Sequence, residues 1–315
     1  MEKCLETAKN LIDRQINNQV NNNIPNFSID FTEYCFGWSN ENISAYLDLV
    51  PFYDKTSALS VLASGDQLFN LITNGITQID TFDINRLTEY YALGFKRAMI
   101  LKYDYNTFKS IMSFISSSEI SIEYINELII GLFSYMEIQH INFWKSLIDY
   151  NYLVQKRNQT NINLFRMLCL NFHFTNRDIT NDYLKNEENY EKLRKSLRDV
   201  NISFKCANAI DLANVYKGKY DFILLSNILD YFVKFYGRNW TYDKLLEYEK
   251  RIETLANPRG TIFLEYMFEY PIFTDDEIID GASITISDLK NGERAILLPT
   301  TKANCGEGII LKRVR

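Results

Sequence analysis

Residues Ser57 to Arg86 constrain the fold more than any other stretch of this chain. Ser57 to Ala63 is a short apolar run centred on Val61 and Leu62. Gly65 interrupts it, and Leu68, Phe69, Leu71 and Ile72 then recur at helical spacing as far as Gly75. ITQIDTFDINR (Ile76 to Arg86) follows as a second strand ending in an acid. Strand, tight turn, helix and strand make a βαβ opening. In such a unit a turn residue without a side chain lets backbone N–H groups approach a ligand, and an acid closing the next strand accepts both hydroxyls of a ribose. Asp83 lies 18 residues beyond Gly65, so the pair predicts an adenosine-containing cofactor. The alternative is a tight α/β turn in which Asp83 only caps the next helix.

The turn Ser64-Gly65-Asp66 carries one glycine where a dinucleotide fingerprint carries three. A pyrophosphate needs the close helix N-terminus that a glycine-rich turn provides, so NAD is disfavoured. S-adenosylmethionine (SAM), which has no phosphates, fits the turn.

A length of 315 residues exceeds a typical single core and calls for an α/β domain with a large helical addition. Hydrophobic residues make up 46% of the chain, and no apolar run approaches the ~20 residues of a membrane helix. MEKCLETAKNLIDRQINNQ at the N-terminus lacks the apolar core of a signal peptide, so the expected location is cytoplasmic. The five cysteines are scattered without C-x-x-C spacing, which predicts buried reduced thiols. Two histidines, His140 and His173, are too few for a histidine-based metal centre. A net charge of −6 argues against nucleic acid as the main partner. The run Lys192, Arg194, Lys195 and Arg198 interleaves with Glu187, Glu188 and Glu191 and reads as a solvated helix face.

Three regions separate along the chain. Residues 1–55 hold a helix and an aromatic, polar segment that reads as a lid. Residues 56–104 and 201–315 form the sheet-bearing domain, with a helix from Arg86 to Leu101 for which Asp83 and Asn85 are possible caps. Residues 105–200 are a helical insertion, periodic in SIEYINELIIGLFSYM and NEENYEKLRKSL. Strand character returns at Asn201 to Cys206, Tyr220 to Leu225 and Thr261 to Glu265, the last preceded by the closing turn Asn257-Pro258-Arg259-Gly260. Continuous apolar strands alternating with helices predict a parallel sheet buried on both faces. The final segment reads as hairpin strands with Asn291-Gly292 as a turn.

The order of the Gly65 turn, Asp83, Asp211 in a loop after the third strand, and YDFILLSNILDYF (Tyr220 to Phe232) resembles the class I SAM-dependent methyltransferase fold. That is a Rossmann-like α/β fold with a mostly parallel sheet and an antiparallel C-terminal hairpin. More narrowly, ALSVLASGDQ, TFDINR and the helical block with NFWKSL and NYEKLRKSL are similar to a family related to betaine-lipid aminocarboxypropyltransferases. Those enzymes transfer the 3-amino-3-carboxypropyl arm of SAM.

The resemblance implies that Ser64, Gly65 and Asp66 face the methionine portion, Asp83 binds the ribose and Asp211 meets the adenine. Ser226 and Asn227 border the reacting centre, with Asp230 and Tyr231 as the catalytic candidates. Asp211 can equally close a turn, and Tyr231 can be core packing. Glu265, His140 and His173 are further candidate bases, although a histidine on an apolar stretch is usually a core residue. The [DNS]-P-P-[FY] turn of base-amine methyltransferases is replaced by Ser226-Asn227-Ile228-Leu229, which removes support for base methylation. The expected function is transfer of a sulfonium substituent, the aminocarboxypropyl group by preference, to a small-molecule or lipid-like nucleophile. Methyl transfer to a small molecule and a non-catalytic scaffold binding a partner through the helical insertion are the alternatives.

Overall fold

The structure is a computed structural model that describes residues 6–7, 9–10, 13, 35–48, 50, 52–116, 120–158, 165, 168–170, 174, 176–229, 231–232, 242–267, 278–280, 294–298 and 308–314. In chain order the strands are β1 (Cys35–Phe36), β2 (Ser57–Val61), β3 (Gln78–Asp83), β4 (Cys169–Leu170), β5 (Asn201–Cys206), β6 (Tyr220–Leu224), β7 (Ala256–Met267), β8 (Ile278–Asp280), β9 (Arg294–Leu298) and β10 (Gly308–Arg313). Two compact units result. Unit 1 draws on Met1–Ser39, Ala63–Gly65 and Asn85–Arg177, and unit 2 on Asn40–Leu62, Asp66–Ile84 and Asp178–Arg315.

Unit 2 is built on a sheet of order β5-β3-β2-β6-β7-β10-β9-β8. The run from β5 to β7 is parallel throughout, β10 is antiparallel to both β7 and β9, and β8 is parallel to β9. The central strands read as continuous apolar runs because both faces are covered: Ala58 and Leu59 on β2, Phe222, Ile223 and Leu224 on β6, and Ile262, Phe263 and Leu264 on β7 are all buried. The helix Asp66–Thr73 is buried along its whole length. It ends at Gly75, whose φ of +98° only glycine adopts without strain. There Ile76 N donates to Leu71 O (3.1 Å) and Gly75 N to Ile72 O (3.0 Å), the paired bonds that satisfy a helix's last carbonyls.

The starts of β2, β6 and β7 are tied by one carboxylate. Asp221 Oδ2 accepts from the Thr56 and Ser57 amides at 3.0 and 3.1 Å, and Asn257 Nδ2 donates to Oδ1 at 3.0 Å. Burial works to raise the pKa of Asp221, but these donors hold it below the usual value. The expected closing turn Asn257 to Gly260 lies inside β7 as an irregularity, the register passing from Tyr220↔Ala256 to Phe222↔Thr261. Gly260 is needed there, since a Cβ would stand 2.8 Å from Asn257 O. The Asn291-Gly292 turn lies outside the described residues. The charged face around Arg194 is a helix, Glu187–Ser196, with an Arg194–Glu191 ion pair at 3.2 Å.

Unit 1 is helical, with helices Tyr105–Ile115, Ile122–Ile130 and Ile138–Asn158. Asp104 and Ser121 cap the first two by accepting from Thr107 N (2.9 Å) and Tyr124 N (3.2 Å). The helix expected from Arg86 to Leu101 begins instead as a π-helix, Glu89–Lys96, before turning α over Arg97–Lys102. Its wider turn comes with tight packing at Gly94, where a Cβ would lie 3.2 Å from His140 Cβ and 3.3 Å from Trp144 Nε1. Trp144 Nε1 donates to Tyr90 O (3.1 Å), and Tyr90 stacks on Phe143 at 4.0 Å. Asn85 supports the start, its Oδ1 accepting from Leu87 N at 2.9 Å.

β1 and β4 form a separate parallel pair in which Cys35 lies opposite Cys169, the two buried thiols 3.3 Å apart. Burial pushes the Cys169 thiol well up. Cys206, expected to be buried, is exposed because it ends the edge strand β5. Among the described residues, no helix is long and apolar enough to cross a membrane and no cluster of metal-ligating side chains occurs.

Candidate active site

In unit 2 the chain runs from β2 outward in opposite directions, to β3 on one side and to β6 on the other. The carboxyl ends of the strands flanking such a reversal are where open α/β sheets bind ligands. At that end of β6, Leu225 N donates to Phe263 O (3.0 Å) and Tyr266 N to Ser226 O (2.8 Å), so the ladder to β7 continues past the strand. Ser226 itself takes a φ of +59°, a left-handed conformation that a residue with a Cβ adopts at a cost.

The hydroxyl so displayed donates to Glu41 Oε1. Glu41 Oε2 accepts from Tyr46 Oη and from Gln67 Nε2, each at 3.2 Å. Asn42 sets this arrangement. Its side chain caps the helix Ile43–Leu47 through Ala45 N (3.2 Å), and its own amide donates to Tyr266 Oη (3.1 Å). Tyr46 packs against Phe263 and Tyr266 with ring centroids 5.5 and 5.8 Å away. Glu41 is 2% exposed. Burial raises its pKa to about 7 against the opposing hydrogen bonds from Ser226, Gln67 and Tyr46, and the Asp66 charge adds to the rise. The Tyr46 phenol is likewise pushed well above its usual value by burial and then by Glu41.

Ser226 is half-buried, and its Oγ also lies 3.3 Å from Asn227 Oδ1. Asp66, the first residue of its helix, is fully buried, and Oδ1 accepts from Tyr183 Oη at 2.7 Å. The same helix is gripped through Asn70, which donates to Asn181 Oδ1 (2.8 Å) and accepts from Asp182 N (2.6 Å). Asp83 is the half-buried last residue of β3, and its carbonyl takes the Ala207 amide at 2.9 Å. Asp211 ends a 3-10 turn, Ala209–Asp211, and is exposed. Tyr231 is half-buried, whereas Asp230 and His173 lie outside the described residues. Glu265 is buried, its Oε2 accepting from Leu229 N at 2.9 Å.

Ser64 and Gly65 group with unit 1. Ser64 O accepts from Lys96 Nζ at 3.2 Å, and the same fully buried ammonium reaches Gly37 O at 3.3 Å and sits 3.7 Å over the Trp38 ring. Tyr91 Oη also donates to Gly37 O, at 2.9 Å. His140 is buried in this unit with Nε2 3.8 Å from Glu89 Oε1. Sequence reasoning missed Glu41, Tyr46, Gln67 and Lys96. The one local signal for Glu41 is an acid between Trp38 and the cap Asn42, in a segment otherwise aromatic and uncharged from Cys35 to Leu47.

The strand order, the parallel run from β5 to β7 and the antiparallel β10 define a Rossmann-like α/β fold of the class I methyltransferase kind, carrying a large helical addition. No family model matches the chain, and no curated protein matches it. Two solved structures of the rRNA methyltransferase aviRa from Streptomyces viridochromogenes are similar to it, at 10% identity with a TM-score of 0.38 and at 11% with 0.36. Each alignment covers 86% of this chain and 82% of that chain. The narrower resemblance to the betaine-lipid group finds no matching family model.

Proposed function

We propose that this chain is a SAM-dependent transferase acting on a small-molecule nucleophile. The observation that carries the reading is the reversal of strand order between β3 and β6 around β2, with Asp83 closing β3. Asp83 is of the right type and place to accept the ribose hydroxyls. The single-glycine turn at Ser64-Gly65 suits an adenosine ligand without phosphates. Asp211 would meet the adenine amine, while Ser226 and Asn227 would border the reacting centre. Asp66 fits less well as a contact to the methionine arm, because Tyr183 already holds its carboxylate. Its role in this reading is to fix the helix that leaves the turn. The bound sulfonium supplies an electrophilic carbon. The protein's own part is to hold the nucleophile in line with that carbon and to exclude water.

The group transferred is, in our reading, the 3-amino-3-carboxypropyl arm, with methyl transfer as its competitor. Calorimetry with SAM, S-adenosylhomocysteine and NAD tests the cofactor, and tight NAD binding without a response to SAM would sink it. Mass spectrometry of the nucleoside products tests the transfer. Methylthioadenosine is the expected by-product, and S-adenosylhomocysteine alone would assign methyl transfer. Binding without either product would favour the scaffold.

A further inference from the structure

At the end of β6 the hydroxyl of the half-buried Ser226 meets a buried carboxyl. Ser226 is held in a left-handed conformation that displays its Oγ, and that Oγ bonds to Glu41. Strained non-glycine residues of this kind cluster at functional sites. A hydroxyl can donate and accept at once, and Tyr46 and Gln67 hold the other carboxyl oxygen in place. The pair can therefore receive a proton on the Ser226 side and keep it on Glu41. Among the described residues, Tyr46 and Asp66 are titratable groups that face Glu41, with Tyr266 beside Tyr46.

We propose that Glu41 and Ser226 are the proton-accepting pair of this site, and that its acceptor is an amine whose ammonium form gives up a proton through Ser226 to Glu41. The step balances: Ser226 passes one proton on and receives one, the ammonium becomes a neutral amine with a free electron pair, and the carboxylate becomes a carboxylic acid. An amine is the class that needs such help. An alkylammonium, with a pKa of ~10.4, is almost wholly protonated and without a free electron pair at neutral pH, whereas a thiol at roughly 8.5 supplies a few per cent of a strongly nucleophilic thiolate unaided.

This inference rests on the SAM reading, and its test separates the two. Calorimetric titrations at pH 7 in two buffers of different ionisation heat count the protons released on binding. SAM brings a positive charge to the site and should expel roughly half a proton from Glu41, whereas S-adenosylhomocysteine, a neutral thioether, should expel none. Glu41→Gln should bind SAM with no release. Equal counts for the two ligands, or release that persists in Glu41→Gln, overturn the proposal while leaving SAM binding intact. Absence of heat with either ligand overturns both. In an extract of the source cells with labelled SAM, label recovered on nitrogen supports the amine. Label on oxygen or sulfur, or no labelled product from protein that binds SAM, overturns it.

Discussion

Two buried charged side chains, one in each unit, are held in opposite ways. Lys96 in unit 1 is anchored by backbone, its ammonium reaching the Gly37 and Ser64 carbonyls and the Trp38 ring. Glu41 in unit 2 is anchored by side chains, each of which can reorient: the Ser226 and Tyr46 hydroxyls and the Gln67 amide. Carbonyls only accept, so the first arrangement suits a permanent cation that clamps two chain segments. Hydroxyls donate or accept as needed, so the second tolerates a carboxyl in either protonation state. A buried charge is thus a structural clamp in one unit and a proton site in the other.

The hardest blow to that comparison would come from Lys96→Met. Gly37 O keeps its bond from Tyr91 Oη. The loss therefore comes from the donor to Ser64 O, about 1–3 kcal/mol, and from the cation over the Trp38 ring, about 0.5–2 kcal/mol, and a drop of about 2–5 kcal/mol is expected from the denaturant midpoint. An unchanged midpoint would mean that the clamp is idle.

The pH dependence of Glu41 comes next. Its folded pKa of about 7 lies above the ordinary 4.5, so between these values the folded chain keeps a proton that the unfolded chain has released. The resulting stability is fully present below about pH 4.5 and is lost as pH rises through 7, a change on the order of 3 kcal/mol. Glu41→Gln should match the native protein at pH 5 and exceed it in stability at pH 8. Parallel denaturation series at the two pH values check this, and identical slopes in both proteins would remove Glu41 as a proton site.

Asp83→Ala sharpens the picture of unit 2 further. Charge-assisted bonds to ribose hydroxyls are worth about 1.5–3 kcal/mol, so the SAM dissociation constant should rise ten-fold or more while the midpoint holds. A lowered midpoint with unchanged affinity would make Asp83 a helix cap. The smallest effect is expected in unit 1. Gly94→Ala presses a methyl on His140 and Trp144 and should cost about 1–2 kcal/mol, with a shift in tryptophan fluorescence as a second readout.

The sheet was largely legible in the sequence. β5 occupies the residues that the pattern NISFKC marks out, and β2, β3 and β6 fall within a residue or two of their apolar runs. Their antiparallel companion β10 was likewise expected near the C-terminus. The bulge at Asn257 to Gly260 read as a closing turn because Pro, Arg and Gly carry the same local signal whether a strand ends or merely kinks. The helix after Asn85 was readable as helix, but its π form was not, since that form goes with packing of Gly94 on a segment some 46 positions further along the chain.

By itself, then, the sequence determined the α/β alternation and the parallel sheet, because strand and helix periodicities are set by neighbours a few residues apart. It also determined which acid closes β3. Only the tertiary structure decided that Glu41 meets Ser226 across a separation of 185 residues. A carboxyl's proton affinity depends on burial and on the donors that surround it, and those arrive from distant parts of the chain only when the chain has folded.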